Sequence, residues 1–425
     1  MQIPDVPPQL LTALVEAAAG QRLALVGGVV RDLLLHRHHQ DPWRGLPDLD
    51  LVVEGQAADL VARLPAALED HFGTAIPLRQ QPHGRYGTVK LELQLPQFLG
   101  GSWLVDLASA RREVYLHPAS NPMVYPGTIE EDLLRRDFTI NAMALEIFGG
   151  NLADGNLLDL FGGLKDLAQR KLRLLHDQSI RDDPTRIIRA ARYAARLNFD
   201  LAPETLLQLS QILKEWPWLW KPGSSPISAP PALSTRLRAE LDLLLQREPW
   251  QKALSFLQSW GALEILDRSL QNSCVWRRRL HWADRLQLPL LLSIVASSED
   301  SLSLAKRLRL SYRHLSVIES ASSLIERISF LSEESINSMK PSQWCALFEE
   351  KQYCSQAVNL ALFVGGVPLR PALHWWYVWR HLKSPVKARQ LIAQGHLPGP
   401  SLGAELSKLR LDSIDLHGYR MRCHL

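Results

Sequence analysis

Two aspartates separated by one residue, Asp48 and Asp50, stand at the start of an apolar stretch that ends at Val53. The stretch predicts a β-strand, and side chains at positions i and i+2 of a strand point the same way. Both carboxylates therefore face one spot, an arrangement suited to a hard cation such as Mg²⁺. An Asp-x-Asp pair also occurs as a solvated strand cap, so the pair alone leaves both interpretations open.

A glycine pair, Gly27-Gly28, lies a short distance upstream. The apolar residues 23–26 predict a buried strand, and residues 29–35 predict a helix after the glycine turn. Glycine permits positive φ and lets backbone N–H groups approach a phosphate closely. Such a pair is often only a turn, but its proximity to Asp48 and Asp50 favours a nucleotidyl-transfer site.

A third aspartate, Asp106, stands in the middle of a predicted strand over residues 103–107, between apolar neighbours. Two interpretations remain open. The carboxylate forms a salt bridge with Arg111 or Arg112, or it is a third carboxylate of a metal site.

Adjacent arginines, Arg135 and Arg136, follow a predicted short helix that begins with an acidic run at residues 130–132. Two guanidinium groups can donate bidentate hydrogen bonds to triphosphate oxygens. The alternative is a surface patch.

A basic helix is predicted after Asp182-Asp183-Pro184, since either aspartate can cap it and proline suits a first turn. Arginines at positions 186, 189, 192 and 196 fall near one face of that helix. They form either a solvated basic face or a surface whose donors, with Asp183 as a neighbouring acceptor, pair with the edge of a nucleobase.

Length and composition limit the class of protein. A chain of 425 residues with 46% apolar and 22% charged residues predicts a globular protein of two to four domains. No apolar run approaches the ~20 residues needed to cross a bilayer, and the first residues do not resemble a secretion signal. Four scattered cysteines without a Cys-x-x-Cys pair favour reduced thiols in the cytoplasm.

Strand signals concentrate in residues 1–150, and the pattern is helical from about residue 157 to the end. Pro65 is expected to break or kink a helix predicted over residues 57–68, and a loop is predicted at residues 117–127. Arginines lie beside tryptophans at residues 276–282 and 374–380, either as core-packing segments or as an RNA-holding surface. The histidines at 36, 38 and 39 are interpreted as part of a polar loop.

With these residues in view, the chain resembles the class II tRNA nucleotidyltransferases and bacterial poly(A) polymerases. Five motifs occur in the order of that family: GGVVRD at 27–32, DLD at 48–50, VDLASAR at 105–111, RRDFTINA at 135–142 and DDPTR at 182–186. Residues 232–234 resemble the next neck segment of the family, and residues 398–403 resemble its tail more loosely.

The resemblance implies an α+β fold with a polymerase-β-like nucleotidyltransferase head followed by all-α neck, body and tail domains. It places the catalytic head at residues 1–150 and a helical neck with the base-reading helix at 151–270. Residues 271–425 would be the helical body and tail, which bind tRNA.

The resemblance also implies site residues. Asp48 and Asp50 would hold Mg²⁺, with Asp106 as the third catalytic carboxylate. The nucleotide would be bound by seven residues: Gly28, Arg31 and Arg136 at the triphosphate, Asp183 and Arg186 at the base, and Arg189 and Arg192 in support. The family usually has Glu where this chain has Asp182, which shortens one side chain in this corner.

The implied activity is template-independent addition of C, A or both to the 3′ end of tRNA from CTP and ATP. Members of the family add CCA, CC only, A only or poly(A), and these motifs do not separate them. A non-catalytic RNA-binding relative is a further alternative, against which the intact Asp48, Asp50 and Arg136 argue.

Overall fold

The computed structural model describes residues 3–4, 6–45, 48–83, 87–95, 102–148, 157–216 and 224–420. Cys423 and the predicted boundary at 150/151 lie outside these ranges. The chain divides into two compact units. The first comprises Met1–Pro222 and Pro230–Ala262, and the second comprises Gly223–Ala229 and Leu263–Leu425.

A seven-stranded mixed sheet organises the first unit, in the strand order β3-β4-β5-β2-β1-β8-β9. β2 and β5 run parallel, and the other neighbours in this sheet are antiparallel. The strands are β1 Leu23–Val26, β2 Leu49–Val53, β3 Leu78–His83, β4 Thr88–Leu93, β5 Trp103–Ser109, β6 Arg111–Val114, β7 Met123–Pro126, β8 Ala144–Glu146 and β9 Leu157–Leu158, of which β6 and β7 form a separate two-stranded sheet.

Five helices accompany these strands: α1 Pro8–Ala18, α2 Gly28–His39, α3 Ala57–Phe72, α4 Ile129–Leu134 and α5 Gly163–Ala168. Apolar side chains of α4, Ile129 and Leu133, pack in one buried cluster with Val26 of β1 and Val52 of β2. The predicted strand-turn-helix over 23–35 and the strand at 49–53 are therefore confirmed, and this unit begins with an α+β fold.

Pro65 does not break its helix, which was one of the two outcomes predicted for it. α3 continues through it for 16 residues. Proline removes one backbone hydrogen bond, but Leu60, Leu64 and Leu68 on one face of α3 are fully buried on both sides of it. Burial of that apolar stripe offsets the lost hydrogen bond.

The prediction of a loop at 117–127 is wrong for residues 123–126. β7, Met123–Pro126, pairs with β6 in an antiparallel hairpin. Val124 and Tyr125 favour strand geometry, and Pro126 at the end of a two-stranded sheet removes no central ladder bond.

In the residues that the structure describes, the remainder of the first unit is helical apart from one small parallel pair of strands. Its elements are β10 Lys171–Leu172, β11 Asp200–Leu201, α6 Ser179–Asp182, α7 Thr185–Leu197, α8 Pro203–Glu215, α9 Thr235–Arg247 and α10 Trp250–Ser259.

The second unit is helical over its described residues. Its helices are α11 Arg268–Asn272, α12 Val275–Arg279, α13 Leu290–Ala296, α14 Ser301–Arg307, α15 Tyr312–Ser329, α16 Glu333–Ser338, α17 Pro341–Phe348, α18 Ser355–Val364, α19 Leu369–Tyr377, α20 Ala388–Ala393 and α21 Pro400–His417. Together with the sheet of the first unit, these helices confirm the predicted fold class.

Most of the tryptophans in the two Arg-Trp segments are core residues. Trp276, Trp375, Trp376 and Trp379 are buried, as the packing interpretation predicted. Trp282 is half exposed, and the guanidinium of Arg285 lies 4.8 Å from its ring centroid. In the part of the chain that the structure describes, no helix combines the length and apolarity needed to cross a membrane.

Candidate active site

Three carboxylates meet across two parallel strands, β2 and β5. Asp50 of β2 stands directly opposite Asp106 of β5, and Asp48 immediately precedes β2. One oxygen atom from each of the three lies within 4.8 Å of the others. Three oxygen donors converging in this way fit a hard divalent cation. The structure thus brings the two predicted metal ligands and the predicted third carboxylate together.

Burial and the repulsion between neighbouring carboxylates raise the pKa values of Asp48 and Asp50. Burial, and then the charge of Asp48, raises the pKa of Asp50 to about 6, although Arg136 opposes the shift. Burial and the charge of Asp106 also raise the pKa of Asp48. Carboxylates that repel one another in this way gain from a bound cation.

Asp106 does form an ion pair, but with neither predicted arginine. Its Oδ2 accepts from Nζ of Lys90 at 3.0 Å. Lys90 of β4 stands directly opposite Asp106 in the antiparallel register, whereas the guanidinium of Arg111 donates to Glu113 at 2.8 Å. The predicted salt bridge with Arg111 or Arg112 is therefore wrong, and the ion pair with Lys90 leaves Asp106 within the carboxylate cluster.

The glycine pair lies where the backbone passes close to the side chains of Arg136 and Asp50. Gly27 precedes α2 with φ of 73°, and a Cβ on it would lie 3.0 Å from Nη1 of Arg136 and 3.6 Å from Oδ2 of Asp50. Gly28 is the first residue of α2, a 12-residue helix whose N-terminus presents free N–H groups. Such an end is suited to anions.

Both adjacent arginines are fixed by one buried carboxylate. Asp132 of α4 accepts from Arg135 at 2.7 Å and from Arg136 at 3.0 Å. Burial would raise the pKa of Asp132, but the two guanidinium groups hold it below its usual range. Nε of Arg136 is buried without a hydrogen-bond partner among the described residues. The surface-patch interpretation of this pair is therefore wrong.

Arg31 is buried rather than open to a ligand. Its guanidinium donates to both carboxylate oxygens of Asp32 at 2.9 Å and to Oδ1 of Asn141 at 2.8 Å. Its Nη2 would lie 3.4 Å from a Cβ on Gly28. Arg31 therefore packs directly behind the glycine turn.

A cavity of about 430 Å³ joins the glycine turn to the start of the basic helix. Its lining includes Gly27, Gly28, Asp50, Arg111, Glu113, Tyr115, Arg135, Arg136, Asp137, Asn141, Asp183, Thr185, Arg186, Arg189, Tyr193, Arg236, Ala239 and Glu240. Asp182, which departs from the usual Glu, is not among these residues.

Asp183 and Arg186 lie at this cavity, and both are buried. Asp183 Oδ1 accepts from the backbone N–H and hydroxyl of Thr185 at 3.1 and 2.6 Å, and Oδ2 accepts from Arg236 of α9. Arg186 donates to the carbonyl oxygens of Ser179 at 3.3 Å and Arg135 at 2.7 Å. Both side chains are thus held in defined orientations at the cavity wall.

The solvated-face interpretation of the basic helix is wrong for its central arginines. Arg189 donates to Asp137 at 2.7 Å and to Glu240 at 3.3 Å. Arg192 is buried and pairs with Glu240 and Glu248. These arginines join α7 to α9 and to the RRDFTINA segment.

Sequence reasoning did not identify Lys90, Arg236 or Glu240. Lys90 faces Asp106 only because β4 and β5 pair in an antiparallel register. Arg236 lies 53 residues after Asp183. No local sequence pattern predicts a contact between two residues so far apart along the chain.

Comparison with known proteins agrees with this geometry. Residues 23–173 match the family model described as the poly A polymerase head domain. The A-adding tRNA nucleotidyltransferase of Aquifex aeolicus is 37% identical over 274 residues, covering 61% of this chain and 28% of that protein. The CC-adding tRNA nucleotidyltransferase of Deinococcus radiodurans is 40% identical over 253 residues, covering 59% of this chain and 57% of that protein.

The match to these curated relatives therefore spans about a quarter to just over half of their own length. Among solved structures, a CCA-adding enzyme in an apo form aligns with a TM-score of 0.67 over 98% of this chain and 96% of that one. At 24% identity, this likeness speaks to the fold alone. In its ordered motifs, its head-domain match and its curated relatives, the chain is similar to the class II tRNA nucleotidyltransferases and bacterial poly(A) polymerases.

Proposed function

We propose that this chain is an enzyme that adds C, A or both to the 3′ end of tRNA, using CTP and ATP and releasing pyrophosphate. One observation carries the proposal. Asp50, Gly28 and Arg136 lie at the same cavity as Asp183 and Arg186. A nucleoside triphosphate has its anionic chain at one end and its base edge at the other, and the two sets of residues match those two ends.

In this proposal Asp48 and Asp50, with Asp106, hold divalent cations. Mg²⁺ fits a site made of carboxylate oxygens. Cations held there would lower the pKa of the RNA 3′-hydroxyl and neutralise charge on the departing pyrophosphate.

The triphosphate would be bound by the N-terminal N–H groups of α2, beginning at Gly28, and by Arg136. The buried Nε of Arg136 supplies a donor that its bond to Asp132 does not use. Arg31, bonded to Asp32 and Asn141, would act mainly by supporting the turn at Gly28.

The base would be read by Asp183 as acceptor and Arg186 as donor. Each carboxylate oxygen can accept two hydrogen bonds, so Oδ2 of Asp183 retains one acceptor position beside Arg236. Arg186 uses two of its five N–H donors on backbone carbonyls and keeps the others. Arg189 and Arg192 would hold α7 in place through Asp137, Glu240 and Glu248.

The reaction forms a bond between the RNA 3′-oxygen and the α-phosphorus. The bond from that phosphorus to the bridging oxygen breaks, pyrophosphate leaves with the electron pair, and the hydroxyl proton passes to solvent. We assign catalysis to residues 1–150, base reading to 151–270 and tRNA binding to 271–425. We place the reaction in the cytoplasm, where four scattered cysteines would stay reduced.

The test is to incubate the purified chain with tRNA ending in the discriminator base, in C or in CC, and with labelled CTP or ATP. The proposal expects addition of one to three nucleotides to at least one of these RNAs. A long ATP-dependent ladder on unstructured RNA would instead indicate poly(A) polymerase activity. No incorporation on any RNA by the folded chain would contradict both.

A further inference from the structure

Three side chains form a row across the head sheet. Lys90 of β4, Asp106 of β5 and Asp50 of β2 stand directly opposite one another in consecutive strands. Residues opposite each other across a ladder share one face of the sheet, and neighbouring strands are about 4.8 Å apart. Lys90 is therefore about two strand spacings from Asp50, on the same face.

The row has two distinguishable ends. Beyond Asp50 the next strand is β1, which leads into Gly27 and lies beside Arg136. Asp50, Gly27 and Arg136 line the cavity, whereas Lys90 and Asp106 are not among its lining residues. The cavity thus adjoins the β1 side of the carboxylates, and Lys90 lies on the β4 side.

In-line displacement then fixes where the RNA must lie. The attacking and leaving oxygens stand on opposite sides of the α-phosphorus. If the triphosphate occupies the cavity, its pyrophosphate lies on the β1 side with Arg136. The RNA 3′-hydroxyl must approach from the other side, over β5 and β4.

We propose that Lys90 binds the phosphate that joins the last two nucleotides of the RNA, and so positions the 3′-hydroxyl at the carboxylates. This inference rests on the proposed function and extends it to the second substrate. The side chain of Lys90 is 51% exposed, so an RNA can reach it. An ammonium group has three donors, and one of them is used on Asp106 at 3.0 Å.

The pairing with Asp106 makes Lys90 suitable for this role. A lysine held in place by a carboxylate loses less side-chain entropy when it binds a phosphate than a free lysine would. The competing explanation is that Lys90 only offsets the mutual repulsion of the three carboxylates. That explanation predicts an effect on metal and nucleotide binding that does not depend on the charge of any RNA phosphate.

The experiment uses the full chain and an RNA hairpin carrying the acceptor end of tRNA. Its last internucleotide linkage is either a natural phosphate or an uncharged methylphosphonate. Wild type is compared with Lys90→Met, with Lys90→Arg, and with Lys171→Met as the matched control. Lys171 also pairs with a carboxylate of a neighbouring strand, Asp200 at 3.3 Å, but in the small sheet of β10 and β11.

Two quantities are measured: kcat/KM for the RNA at saturating nucleotide, and Kd for both RNAs in EDTA. For wild type and Lys171→Met, we expect the methylphosphonate to lower kcat/KM for the RNA about tenfold and to raise Kd about tenfold. For Lys90→Met, we expect both quantities to change less than twofold. On the natural RNA, kcat/KM for the RNA should be about tenfold lower in Lys90→Met than in wild type, while the KM for the nucleotide should be unchanged. Lys90→Arg should recover part of the preference for the charged linkage.

A methylphosphonate penalty of the same size in Lys90→Met and in wild type would overturn the inference, since the lysine would then make no contact with that phosphate. In that case nucleotide addition by wild type would still stand. A wild-type chain that is folded but adds nothing to either RNA would instead overturn the proposed function, and the role of Lys90 with it.

Discussion

The raised pKa of Asp50 makes the stability of the metal-free chain depend on pH. Its pKa is raised to about 6 by burial and by Asp48, from 3.8 for an ordinary aspartate. Between those two pH values the folded chain binds the proton more tightly than the unfolded chain. The free energy of unfolding of the metal-free chain therefore falls as pH rises through this window, and the deficit is complete above pH 6.

Asp50→Asn should accordingly stabilise the metal-free chain at pH 7.5. A shift of about two pKa units corresponds to at most ~3 kcal/mol, so an increase of about 1–3 kcal/mol in the free energy of unfolding is expected. Melting temperatures in EDTA between pH 4 and 8 provide the measurement. A variant that melts no higher than wild type at pH 7.5, or whose advantage persists unchanged at pH 4, would refute this account of Asp50.

At this scale the sequence could predict Asp48 and Asp50, because their i, i+2 spacing alone puts both carboxylates on one side of a strand. Asp106 could be predicted only as one of two alternatives, since its neighbours depend on strand register. Arg236 could not be predicted, because its pairing with Asp183 arises from the packing of α9 against α7.

Among the elements, α7 has the most specific task. It places Arg186 at the cavity while Arg189 and Arg192 anchor it to Asp137, Glu240 and Glu248. The sequence predicted the helix and its arginine face from caps and spacing. It did not predict that Arg189 and Arg192 would be paired or that Arg192 would be buried, because their acceptors lie about 50 residues away along the chain.

Arg186→Ala should change which nucleotide is added, beyond slowing all addition. A lost pair of donors to a base edge is worth ~1–3 kcal/mol of discrimination, by analogy with base reading in DNA. The measurement is kcat/KM for CTP, ATP, UTP and GTP. Arg196→Ala is the control, because Arg196 lies on the same helix and pairs with Glu248 at 3.6 Å but is not among the cavity residues. Equal losses for all four nucleotides in Arg186→Ala would remove Arg186 from base reading.

Hydrophobic patterns and the glycine turn predicted β1, α2, β2, α3 and β5 in their order, and the acidic run predicted α4. Two departures from these patterns have tertiary causes. Helix α3 passes through Pro65 because buried leucines flank the proline on both sides. Residues 123–126 form a strand because β6 supplies a partner that the proline-rich loop did not indicate.

For the whole molecule, the first compact unit contains both the mixed sheet and helices α6–α10, and the second is helical over its described residues. The chain carries a net charge of +4, with 48 Lys and Arg residues against 44 Asp and Glu. So small an excess means that any RNA contact depends on where the cations lie rather than on the total charge.

Binding of tRNA to the full chain should weaken steeply with salt, because each phosphate contact releases counterions. If six or more phosphates are contacted, affinity should fall by about a thousandfold between 50 and 200 mM salt. Equilibrium binding of labelled tRNA across a salt series measures this. A flat dependence would mean that phosphate contacts do not dominate the interaction.

The central claim is that Asp48 and Asp50 act on the transfer reaction and not on the binding of the RNA. Single-turnover nucleotide addition by wild type, Asp48→Ala and Asp50→Ala, with tRNA affinity measured on the same preparations, tests it most directly. The account predicts that addition is abolished in both variants while tRNA affinity stays within about twofold of wild type. A variant that retains more than about a tenth of wild-type turnover, a loss below ~1.4 kcal/mol, would contradict the assignment of these carboxylates.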